Sequence, residues 1–155
     1  MNNQRRNVLK ASSGAALMSV LAAAGIITPG MALADWNKTA FDAKSMADTL
    51  KALGAASPTD SKDVQVTGPD IAENGAVVPV GVASTLPNVT MVAILIEKNP
   101  NALAATFVLP EGTEASVQTR VKMGQTSNIY ALVKSDGKFF MATKEIKVTL
   151  GGCGG

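Results

Sequence analysis

Ser127-Asn128-Ile129-Tyr130-Ala131-Leu132-Val133-Lys134-Ser135-Asp136-Gly137-Lys138-Phe139-Phe140-Met141-Ala142-Thr143-Lys144-Glu145-Ile146-Lys147-Val148 reads as two strands joined by a tight turn. Asp-Gly tolerates positive φ at both central positions of a two-residue turn, whose backbone twist matches that of paired strands. The pattern upstream agrees: Ala115, Val117, Thr119, Val121 and Met123 alternate with Ser116, Gln118, Arg120 and Lys122, one face apolar and one wet. Short apolar runs between Pro, Gly, Asn and Asp place further strands at 64–67, 77–83, 91–97 and 104–109, and the strands so far described at 115–123, 127–134 and 138–150. The last is long enough to hold a bend or bulge. Asn74-Gly75 and Asn99-Pro100 mark other turns. Seven strands without a repeat, a low-complexity tract or a regular strand-helix alternation predict an immunoglobulin-like antiparallel β-sandwich.

One N-terminal amphipathic helix is expected before the strands, over 39–53, with Ala43, Met46, Ala47, Leu50 and Leu53 on one face. Thr39-x-x-Asp42 has the spacing of a weak capping box, and Gly54 is placed to end the helix in the left-handed region. Met91 to Ile96 is apolar on both faces, which fits a central strand or a strand whose second face meets a partner.

The first residues read as an address. Arg5-Arg6 in Gln4-Arg5-Arg6-Asn7-Val8-Leu9-Lys10, an uncharged Ala/Ser/Gly-rich run to Ile27, the breaker Thr28-Pro29-Gly30 and the small-x-small site Ala32-Leu33-Ala34 make a twin-arginine export signal. Val8 stands where the pattern prefers Phe. The expected organisation is a cleaved signal at 1–34, a helical segment at 35–56, a sandwich at 57–150 and an arm at 151–155. Cleavage leaves 121 of the 155 residues and, with three basic residues gone, 11 of the 14 Lys and Arg against 12 Asp and Glu. A mature charge of −1 gives no support to nucleic-acid binding or to a basic membrane-binding patch, and no membrane is expected as a partner of the mature form.

The chain has no histidine and one cysteine. That removes the usual general base, the Cys-His and Ser-His nucleophiles and the commonest metal ligand, so no catalytic residue, metal or cofactor is expected. An exported protein with one cysteine has either a reactive thiol or an intermolecular disulfide. That cysteine is Cys153, within Gly151-Gly152-Cys153-Gly154-Gly155, where nothing else has a side chain. Four glycines in five positions make a flexible tether, and fully extended it reaches about 10 Å beyond Leu150, at about 3.3–3.6 Å per residue. No neighbour on the arm lowers the thiol pKa. Lys144 and Lys147 are near enough in sequence to be candidates for doing so, but both read first as solvated strand charges. The residues alone leave two readings open: a carrier whose sulfur is worked on inside other proteins, or an immunoglobulin-like module tethered by a disulfide.

The terminal Gly151-Gly152-Cys153-Gly154-Gly155 after Lys147-Val148-Thr149-Leu150, Ile71-Ala72-Glu73-Asn74-Gly75 before Val77-Val78-Pro79-Val80, and Asn99-Pro100-Asn101 together resemble the SoxY family of the Sox thiosulfate-oxidising system. Ala104, Thr106 and Phe107, Ser135-Asp136-Gly137-Lys138 and the export signal fit as well. The resemblance implies that Cys153 is the covalent attachment point for thiosulfate-derived sulfur and that Gly151, Gly152, Gly154 and Gly155 are its arm. It implies a periplasmic heterodimer with a SoxZ-like subunit, loading by a c-type cytochrome complex, release of sulfate by a hydrolase and, where present, oxidation by a sulfane dehydrogenase. The ubiquitin-like sulfur carriers also end in Gly-Gly, but their activation needs cytosolic ATP and a carboxylate, with no use for a thiol.

Overall fold

The computed structural model describes residues 37–149; the segment expected to be an export signal, Leu150 and the glycine-rich residues 151–155 lie outside them. Asp136 and Gly137 take φ of 47° and 75°, the two left-handed positions of the expected turn. The turn joins β8 (Ser127–Ser135) to β9 (Lys138–Val148), which pair from Ser135 with Lys138 to Ser127 with Ile146. No register shift interrupts that ladder, so the length of β9 needs no bulge.

Numbered in chain order, the other strands are β1 (Thr59–Asp60), β2 (Val64–Thr67), β3 (Ile71–Ala72), β4 (Val78–Ser84), β5 (Val89–Ile96), β6 (Leu103–Val108) and β7 (Ser116–Val121). One sheet has the order β1-β9-β8-β5-β6, with β3 also on β9; the other is β2-β4-β7. The seven expected strands are present. Two two-residue strands, β1 and β3, add to them and run parallel to β9, pairing Thr59 with Phe140 and Ile71 with Lys147. Their shortness hid them: two residues carry no periodicity.

The immunoglobulin-like sandwich core forms between the sheets from Val78, Val80, Val82, Val92, Ile94, Ile96, Ile129, Val133 and Ile146, with Val121 and Met123 from the alternating segment. β5 and β8 are buried on both faces. Their other sides, Ala93, Leu95 and Leu132, pack with Leu103 against Ala40, Phe41, Met46, Leu50 and Leu53. The second apolar face of 91–96 is therefore covered by this protein's own helical segment.

That segment is two short helices, α1 (Lys38–Asp42) and α2 (Met46–Ala52), where one was expected. Ala43 is extended, and Ser45 Oγ accepts the Asp48 amide at 3.1 Å while donating to the Asp48 carboxylate. The working N-cap is thus Ser45, and Thr39-x-x-Asp42 sits inside α1. Asn37 caps α1 through the Ala40 amide and donates to the Ala52 carbonyl, tying the start of α1 to the end of α2. The break turns Ala47 outward and Thr49 inward, where its hydroxyl donates to the Ser45 carbonyl. Gly54, at φ 76°, ends α2 as expected: its amide bonds Lys51 and that of Ala55 bonds Leu50, a Schellman ending.

Candidate functional site

Cys153 and Gly151, Gly152, Gly154 and Gly155 fall outside the described residues, which end at Thr149. β9 carries the chain to Thr149. Ile146 is fully buried between the sheets, which anchors the strand by its side chain. The next backbone amides are held on both sides: Lys147 donates to the Asp70 carbonyl at 3.0 Å, Val148 to Thr126 Oγ1 at 3.0 Å and Thr149 to the Ala72 carbonyl at 3.1 Å. Every residue from Ile146 to Thr149 is therefore fixed, and the arm departs from a defined point.

The loop that holds it is the Ile71-Ala72-Glu73-Asn74-Gly75 motif. Asn74 Oδ1 accepts the Ala76 amide at 2.9 Å, and its carbonyl accepts from Val77. This Asx turn brings Gly75 against β9. A Cβ at Gly75 would be 2.9 Å from Val148 Cγ1 and would press on the Met123 carbonyl oxygen, so only glycine fits between these two neighbours. The Gly75 carbonyl accepts the Met123 amide at 2.7 Å, joining the loop to the end of β7.

Asn99-Pro100-Asn101 stands at the same end. Asn99 donates to the Lys122 carbonyl at 2.7 Å and accepts from the Gly124 amide, linking the β5–β6 turn to the segment after β7. Asn101 donates to the Phe41 carbonyl at 2.6 Å and accepts from Lys44, linking the same turn to the helices. Both motifs thus act as clasps around the end of the sandwich from which the arm leaves. Sequence reading found the motifs but not their partners Thr126, Met123 and Asp70, which no spacing brings together.

Lys144 Nζ lies 2.7 Å from Asp70 Oδ1. The Lys144 hydrogen bond and charge, with Lys147 adding, hold the Asp70 carboxyl below its usual range against a small opposing desolvation. Lys144, one of the two cations near Cys153 in sequence, is thereby matched by an anion. Among the described residues no cluster of His, Cys, Asp and Glu is placed to hold a metal, and no helix is long and apolar enough to cross a membrane. A hollow of about 470 Å³ on the outer face of the smaller sheet, between Thr67, Pro79, Gly81, Gln118 and Arg120, has no carboxylate or thiol in its lining.

The geometry is that of a strand end pinned on both sides four residues before Cys153, with no assembled catalytic group among the described residues. The family model "SoxY: Sulfur oxidation protein SoxY" matches residues 50–153, so the match extends through Cys153. A solved structure of the sulfur carrier protein SoxY from Chlorobium limicola f thiosulfatophilum is 34% identical at a TM-score of 0.63, covering 74% of this chain and 100% of that one. A chain from a solved structure titled for T cell specificity and activation by the bacterial superantigen toxic shock syndrome toxin-1 aligns at 11% identity and a TM-score of 0.39, over 56% of this chain and 99% of that one, too loosely to bear on function. Among curated proteins none matches the chain. A match over two thirds of the sequence, with a solved relative spanned in full, places the chain in the SoxY family, as a sulfur carrier of the Sox system.

Proposed function

We propose that this protein carries thiosulfate-derived sulfur covalently on Cys153 and presents it to partner enzymes, taking no catalytic part itself. The observation that carries the reading is the family match that ends on Cys153, the chain's only cysteine, just beyond a strand end pinned on both sides. Gly151, Gly152, Gly154 and Gly155 make the arm slim and freely turning, so that a narrow cleft can admit it. The glycines of the arm carry no charge that would stabilise the Cys153 thiolate. Its activation then belongs to the enzymes it visits, as suits a sulfur that several of them handle in turn.

In loading, the Cys153 thiolate and thiosulfate form a new S–S bond and lose two electrons to a c-type cytochrome complex, giving a cysteine S-thiosulfonate. In the first release, a hydrolase adds water to the terminal sulfone; sulfate and two protons leave, and a persulfide anion stays on Cys153. Where a sulfane dehydrogenase is present, it takes six electrons from that outer sulfur and passes them to a cytochrome while three waters supply its oxygens and six protons leave, and a second hydrolysis then releases sulfate and returns the thiolate. The carrier works as a heterodimer with a SoxZ-like subunit in the periplasm, exported by the twin-arginine route with loss of residues 1–34. Export of folded proteins by that route allows a partner without its own signal to travel with it.

The test is intact and peptide mass spectrometry after incubation with thiosulfate and the cytochrome partner. The proposal expects one added S₂O₃ group on the peptide containing Cys153 and none in Cys153→Ala. Thiosulfate oxidation that continued undiminished with Cys153→Ser would instead favour the disulfide tether.

A further inference from the structure

Large apolar side chains are almost all covered among the described residues; the exposed ones are Ile71 at 57%, Val77 at 52% and Val108 at 80%. Two of the three lie on the single loop that clasps the root of the arm. Ile71 pairs with Lys147, and Val77 follows the Asn74-Gly75 turn that touches Val148. Val108 pairs with Met91, towards the Asp136-Gly137 end of the sandwich, at the other end of β8 and β9 from Thr149.

From these positions and the length of the arm we infer that Ile71 and Val77 form the docking surface on which the enzymes that act on Cys153 seat the apolar rims of their active-site entrances. This rests on the carrier reading given above. Cys153 is four residues beyond Thr149, so its Cα lies at most about 14 Å from a point that the fold holds still, at about 3.3–3.6 Å per residue. An active site deep enough to enclose the reacting sulfur must then bring its mouth down onto the surface around Thr149. Whatever enzyme takes the cysteine, that ring of surface is covered, and among the described residues its exposed large apolar side chains are Ile71 and Val77. The neighbouring charges favour an apolar occupant: Asp70 and Glu73 offset Lys144 and Lys147, and Asp70 is already held by Lys144. A balanced set of charges gives little long-range steering, so recognition falls to apolar contact. The loop is also preorganised by its bonds to Met123, Lys147 and Thr149, so seating costs little ordering.

The experiment measures steady-state loading of thiosulfate by the cytochrome partner and sulfate release by the hydrolase, with the mature carrier heterodimer as varied substrate. Ile71→Asp and Val77→Asp are expected to raise KM for the carrier about tenfold in both reactions, with kcat nearly unchanged. Val108→Asp, more exposed but at the far end, is expected to leave KM as it is. Alkylation of Cys153 by iodoacetamide should run at the wild-type rate in all three, and raising salt should change KM little. Should either aspartate variant unfold, Ile71→Ser and Val77→Ser serve in its place. Unchanged KM in the loop variants, an equal rise with Val108→Asp, or loss of the partner subunit from the loop variants on gel filtration would each overturn the inference. A wild-type carrier that took up no thiosulfate mass would defeat the carrier reading itself, which keeps the two failures apart.

Discussion

Gly75→Ala tests how the root of the arm is held. The added Cβ meets Val148 Cγ1 at 2.9 Å on one side and the Met123 carbonyl oxygen on the other. The valine methyl can turn aside. The carbonyl cannot, because Met123 is tied to Gly75 by its own amide at 2.7 Å. Relief therefore moves the 74–77 turn off Met123, at roughly 1–3 kcal/mol for overpacking and about 1 kcal/mol for the weakened hydrogen bond. The lower unfolded-state entropy of alanine returns about 0.4–1 kcal/mol, leaving a net loss of about 1–3.5 kcal/mol. For a domain of this size that lowers Tm by roughly 10 °C. Gly124→Ala is the matched control, since its Cβ meets nothing within 4 Å and its φ is not positive. Thermal and urea unfolding of the two mature variants give the comparison. If Gly75→Ala lies within about 0.5 kcal/mol of Gly124→Ala, the account of a glycine-fitted clasp is wrong.

Leu95→Ala empties the contact between β5 and the helices and should cost about 2–5 kcal/mol in urea unfolding, with α1 and α2 losing hydrogen-exchange protection first. Asn101→Ala removes the donor to the Phe41 carbonyl and should cost about 1 kcal/mol, while Asn101→Asp restores only the acceptor for Lys44. Asp70 has a folded-state pKa depressed by Lys144, so its stabilising effect is fully present above the unfolded carboxylate value of about 3.9 and is lost as pH falls through the lower folded value. Wild type should thus exceed Asp70→Asn by a small constant margin at neutral pH that disappears in acid; a margin that grows on acidification contradicts the assignment.

The alternation at 115–123 and the Asp136-Gly137 turn made the sandwich legible, because period two and positive φ are local properties that a sequence displays directly. The helical segment was legible as amphipathic but not as broken: Ser45 competes with helix continuation, and its gain depends on α1 doubling back through Asn37 to Ala52. The same limit explains why Met91 to Ile96 admitted two readings, since what covers a second apolar face is a tertiary fact. β1 and β3 left no trace, being two residues each and made by β9. At the site, Cys153 stood out by composition alone. The clasp did not, because Gly75, Met123, Thr126 and Val148 meet only after the sheets have formed.

The most direct test of the central claim is the mass of the mature heterodimer after incubation with thiosulfate and its cytochrome partner, read on wild type and on Cys153→Ala. The account predicts one S₂O₃ adduct on the wild-type peptide bearing Cys153 and none on the variant. An adduct that persists in Cys153→Ala, or sulfur found on the terminal carboxylate, would contradict it.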